Sequence, residues 1–167
     1  MAAGPEHFVY KQACLDEPGR ATVAFRDTMV MHVLHREQTM SSESKFFITI
    51  GCFFLATAGA LAAFGFHGPA DILTPEKRAS WAWAVDMQFY HGGGLLIVGV
   101  LADRLGKSWF IRGAGALMIA GITVFSGLIY AQILGMPEAL GQIVPTGGSM
   151  MMLSWILLAI GVMTAKR

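Results

Sequence analysis

FFITIGCFFLATAGALAAFGF, residues 46–66, runs for 21 positions without a charged side chain. An α-helix rises 1.5 Å per residue, so about 20 apolar residues carry it across the roughly 30 Å hydrocarbon core of a bilayer. This stretch reads as a membrane span. Beyond it, HGPADILTPEKR, residues 67–78, holds two prolines, a glycine and four charges, a composition that turns the chain. WAWAVDMQFYHGGGLLIVGVL, residues 81–101, is a second span, the least apolar of the set because it includes Asp86, Gln88 and His91. A short basic connection, ADRLGKSW, leads to a third span over residues 110–134, apolar apart from Arg112 at its start and Gln132 near its end. GMPEALGQIVPTGG is rich in Gly and Pro, and the apolar run after it reaches spanning length only if residues 145–148 lie in the membrane. The fourth span is therefore residues 145–163. The expected fold is all-α: a polytopic membrane protein with a four-transmembrane-helix bundle, preceded by a polar, partly helical arm over residues 1–45.

Composition agrees. The chain of 167 residues is 54% hydrophobic and 14% charged, with a mean hydropathy of +0.55. Soluble domains sit near 45–50% apolar and about 25% charged. A formal net charge of +1 gives no basic face for nucleic acid. Cys14 and Cys52 form neither a disulfide framework nor a metal-ligand spacing. The arm holds five of the twelve basic and six of the eleven acidic side chains, which suits neither a secretory signal nor a transit peptide. Within it, ATVAFRDTMVMHVLHRE, residues 21–37, carries a partial helical stripe and is expected to lie on the membrane surface or to dock on a partner protein. His32 and His35 have no further ligands nearby in sequence and read as surface histidines.

Four spans return both termini to one side. Ten basic residues fall on that side and only Lys77 and Arg78 on the other, so the positive-inside rule places both termini inside. Trp81, Trp83 and Trp109 stand at span ends, where amphipathic rings prefer the headgroup level.

Ionisable groups inside a membrane are costly and point to function. Asp86, Gln88 and His91 are accordingly the sharpest candidates, with His67 at the outer end of the first span. All three second-span side chains are expected to face protein and not lipid. Measured from Trp81, Asp86 lies ~7 Å and His91 ~15 Å along the helix, so His91 is near mid-membrane. A neutral imidazole hydrogen-bonded to a neighbouring helix accounts for it, with a proton relay as the functional rival. His67 and His91 as two axial haem ligands are disfavoured by their unequal depths. Small residues at Ala56, Ala58, Gly59, Ala60, Ala63, Gly92, Gly93, Gly94, Gly113, Gly115, Gly121 and Gly127 are expected to let helices pack closely.

Four stretches together resemble the small membrane family known as domain of unknown function 423, whose animal member is transmembrane protein 256. They are TAGALAAFGFHG, MQFYHGGGLLIVGVL, FSGLIYAQILGM and GQIVPTGGSMMMLSWILLAI, within residues 51–165. The resemblance carries the family's glycine and histidine onto Gly65 and His67, and its tyrosine and histidine onto Tyr90 and His91. Its serine and glycine fall on Ser126 and Gly127, and its proline and glycines on Pro145, Gly147 and Gly148. It implies a four-span bundle and leaves activity open. Family members usually begin near the first span, so the polar arm is an addition of the kind found on accessory subunits of respiratory complexes.

The reading adopted is a non-catalytic accessory subunit of a larger membrane assembly, in the first place a respiratory-chain complex. It has no catalytic, cofactor or metal residues, and its partners are membrane lipids and other integral membrane subunits, with bound lipid as the one possible ligand. The expected setting is the mitochondrial inner membrane with both termini on the matrix side, or alternatively the bacterial plasma membrane. Two rivals stand beside it: a small transporter or proton-conducting protein that uses His91, and a haem- or quinone-binding membrane protein.

Overall fold

The structure, a computed structural model, describes residues 40–106 and 108–165. The readings of residues 1–39, including His32, His35 and Cys14, lie outside the described residues. Four helices are each long and apolar enough to cross a membrane. They are α1, Ser42–His67; α2, Pro75–Leu105; α3, Trp109–Ile133; and α4, Val144–Thr164, the last entered through a 3₁₀ turn at Glu138–Ile143. No strand occurs among the described residues.

The first two helices start earlier than the apolar composition announces, and for the same reason. The first four amides of a helix need outside acceptors, so its first turn is built from polar residues and proline. The hydroxyl of Ser41 accepts from the Ser44 amide at 3.1 Å, so SESK, assigned to the arm by composition, is the first turn of α1. Pro75 occupies the first turn of α2 behind the N-cap Thr74, so the turn expected over residues 67–78 shrinks to residues 68–74. Pro145 sits in the first turn of α4 in the same way, and residues 145–148 are helical. At the far end of α1, the guanidinium of Arg78 donates to the carbonyls of Gly65, Phe66 and Gly68, which satisfies acceptors that the helix itself leaves open. Gly106, at φ +72°, closes α2 in a conformation that a side chain would strain.

Consecutive helices pack on one another, with α4 touching α2 more lightly. This places α2 and α3 inside and α1 and α4 outside. Half of the most apolar window of α2 is buried, against 17% for α1. Two apolar clusters follow. Toward the terminal side Phe47, Leu95, Val98, Met118, Met151 and Leu158 interlock, and toward the opposite side Leu73, Trp81, Val85, Tyr130 and Ile133 do so. Phe46, Phe53, Phe66, Met152, Ile156 and Met163 remain exposed on the outer helices, as a surface meant for lipid requires.

The close approaches occur at glycines. A β-carbon on Gly51 would lie 2.9 Å from the Gly92 carbonyl oxygen, and one on Gly99 3.0 Å from the Ser44 carbonyl oxygen, so α1 and α2 cross backbone to backbone. The α3–α4 contact is as tight: a β-carbon on Gly147 would lie 2.6 Å from the Phe125 amide nitrogen. Gly121 and Gly161 repeat this contact along the same pair. Without a hydrophobic force between helices in lipid, such backbone approach supplies the dispersion contacts that hold them.

Candidate functional site

Buried polar side chains of the spans meet in a layer where all four helices contribute. Gln88 on α2 donates through Nε2 to the Phe54 carbonyl at 2.9 Å and to Thr57 Oγ1 at 2.8 Å, both on α1. Its Oε1 accepts the Tyr130 hydroxyl of α3 at 3.0 Å. The amide orientation is fixed by this set, since a carbonyl oxygen can only accept and must therefore face the NH₂ group. Thr57 passes the chain on by donating to the Phe53 carbonyl at 2.9 Å. A continuous line of donors and acceptors thus crosses from α3 through α2 to α1. Below it, the buried Ser126 hydroxyl of α3 donates to the Ala84 carbonyl of α2 at 2.8 Å. Trp81 ties α2 to α1 through its indole N–H and the Leu61 carbonyl at 2.8 Å.

His91 completes the layer toward α4. Trp155 Nε1, which can only donate, lies 3.1 Å from His91 Nε2, so that nitrogen accepts and carries no proton. The other ring nitrogen, Nδ1, is 2.8 Å from the Met87 carbonyl and carries the proton it donates there. His91 is thus a neutral ring in one tautomer with both nitrogens engaged. His67 is separate from it, exposed at the end of α1 with its ring edge against Phe66 at 4.9 Å between centroids.

Asp86 departs from the expectation that it faces protein. It is exposed on the outer face of α2, and no hydrogen bond or ion pair engages it among the described residues. The cause is helical spacing: residues two apart are turned by about 200°, so burying Gln88 turns Asp86 outward.

The small residues divide likewise. Gly92 packs on Leu55, Gly94 on Met118 and Trp155, and Gly65 lies under the Trp81 indole, while Gly148 makes ordinary contact with Phe125. Around Gly59, Gly93 and Gly127 nothing stands within 4 Å of an added β-carbon, so these three pack on nothing in the bundle. Sequence reading did not single out Thr57, Tyr130 or Trp155. Trp155 in particular looks like any apolar residue of α4 until its N–H is seen to need an acceptor.

At the terminal side, Arg112 Nε and Glu43 Oε1 pair at 2.7 Å, which joins the starts of α3 and α1. They rim an apolar groove of about 590 Å³ lined by Phe46, Phe47, Ala116, Ile119 and Ala120. Among the described residues, no three His, Cys, Asp or Glu gather to hold a metal ion.

The sequence model of one family, described as a protein of unknown function (DUF423), matches residues 61–148. The chain is 36% identical over 116 residues to UPF0382 membrane protein YwdK of Bacillus subtilis, covering 70% of this chain and 94% of that one. To UPF0382 membrane protein SAB0533 of Staphylococcus aureus it is 37% identical, covering 70% and 93%. No solved structure matches it.

Proposed function

Because this chain belongs to the DUF423 family of membrane proteins, whose relatives are named for their location alone, its role must be argued from its own residues, and we propose that it is a non-catalytic integral-membrane subunit that serves a larger assembly as a rigid, lipid-embedded packing element. The supporting observation is how its buried intramembrane polar groups are used, the exposed Asp86 and Tyr90 standing apart from them. Gln88, Thr57, Tyr130, Ser126, Trp81, His91 and Trp155 satisfy one another or neighbouring backbone, which holds four helices in one arrangement. Transport chemistry needs polar groups with a valence left for substrate or proton. A proton path through His91 gains no support from a ring engaged at both nitrogens. Membrane lipid is the only small molecule this reading assigns to the protein, with the groove beside Glu43 and Arg112 as the place for an acyl chain.

The assembly we propose first is a respiratory-chain complex of the mitochondrial inner membrane, with both termini on the matrix side and the N-terminal arm making partner contacts. The bacterial origin of the relatives weighs toward the alternative setting, a bacterial plasma membrane. Mild detergent extraction of the native membrane, native gel separation and mass spectrometry of the band that carries this chain test the proposal. Co-migration with respiratory subunits at many times the 18.0 kDa of the chain is the expected result. Migration of the chain without other subunits would overturn it.

A further inference from the structure

We infer that the outer face of α2 is a self-complementary interface through which two copies of this chain associate, with Asp86 of each copy accepting the Tyr90 hydroxyl of the other. The starting point is an energetic problem. The 31 residues of α2 span about 46 Å, and if they are centred on a 30 Å hydrocarbon core, Asp86 lies about 9 Å inside its boundary. A carboxyl group there is exposed, has no hydrogen bond or ion pair among the described residues, and is cut off from bulk water.

One turn further along the same face is Tyr90, 62% exposed, whose hydroxyl has no partner among the described residues. Long helical side chains lean toward the helix N-terminus, so the Tyr90 ring reaches back toward the level of Asp86. One helix face therefore carries an unpaired acceptor and an unpaired donor at nearly one depth. A two-fold axis along the membrane normal sets each against its complement, and the hydrogen bond forms twice. A partner with a cation could answer Asp86 but would leave Tyr90 unexplained, whereas a second copy answers both.

The rest of the face fits close approach. Gly93 is next along it and has nothing within 4 Å of an added β-carbon, so a second backbone can come near. Ile97 and Val100, about half exposed, continue the strip as apolar contact surface. Nothing in the bundle covers this strip, because α1 and α3 pack on the opposite side of α2 through Gly92, Gly99, Ala84 and Gln88.

The test uses the full-length chain with Cys14→Ser and Cys52→Ser, reconstituted in phosphatidylcholine vesicles. Copper phenanthroline oxidation of a Gly93→Cys variant is expected to give a disulfide-linked dimer. A Gly59→Cys variant, on the exposed face of α1, is expected to give none under the same conditions. Energy transfer between labelled copies, followed as lipid dilutes them, should show dimerisation weakened about sevenfold by Tyr90→Phe, since two interhelical bonds of ~0.6 kcal/mol each are lost. Asp86→Leu should weaken it similarly and Asp86→Asn less, because the amide retains an acceptor. Helical content by circular dichroism should stay unchanged, both side chains being exposed. Equal crosslinking at positions 59 and 93, or affinity indifferent to both Asp86→Leu and Tyr90→Phe, overturns the inference. So does crosslinking at position 93 in native membranes to a different protein and never to a second copy.

Discussion

Gln88 is the residue on which most of the interior depends, because one amide reaches both α1 and α3. Interhelical hydrogen bonds in membranes are worth ~0.6 kcal/mol on average, so Gln88→Leu should lower stability by about 2 kcal/mol as three bonds are lost. Tyr130→Phe, which removes one of the three, should cost about 0.6 kcal/mol; both follow from unfolding in mixed detergent at increasing denaturing fraction. Reconstituted vesicles carrying His91→Ala should show the same proton permeability as the parent, measured with an entrapped pH dye, if the ring is only a link between α2 and α4. Apolar surroundings made Asp86, Gln88 and His91 stand out in the sequence, but they did not show which way each points. Part of that was open to reading all the same. At 100° per residue, Gln88 and His91 fall about 60° apart and Asp86 falls almost opposite them, so the three could never share one face. Their partners were harder to read, because Thr57, Tyr130 and Trp155 are unremarkable in their own spans and gain meaning only when helices are brought side by side.

For the helices, length and order followed from long apolar runs, and the turns followed from Gly and Pro. What shifted was where the first two helices begin: Pro75 and SESK look like loop by composition yet serve a first turn, where missing hydrogen-bond partners favour just those residues. Glycines were legible as a class but not one by one, since Gly121 and Gly127 point to sides of α3 about 120° apart and only the packing decides which of them meets a neighbour. The consequence can be measured. Gly147→Val would push α4 off the Phe125 backbone and should destabilise by about 1–3 kcal/mol, as overpacking does. Gly127→Ala, in open space, should stay within about 0.5 kcal/mol of the parent in the same unfolding assay.

For the molecule as a whole, orientation rests on charge. Arg104 and Arg112 flank one connection, while Lys77 and Arg78 stand at the other side, and Arg78 is already held by carbonyls at the end of α1. An impermeant thiol reagent added to intact cells or organelles should label Lys77→Cys from outside and Arg104→Cys only after permeabilisation, if the basic connection faces inward. The helices are also packed in the order in which they are made: α1 on α2, α2 on α3, α3 on α4, with the His91–Trp155 bond the last link between α2 and α4. Contacts of that kind are local in sequence and close small loops. A ribosome feeding this chain into a membrane would release each span next to the partner it needs, so assembly could keep pace with synthesis. Apart from the outward face of α2 and the His91 ring, which waits for Trp155 on α4, no polar group would stay exposed to lipid for more than the one helix still to come.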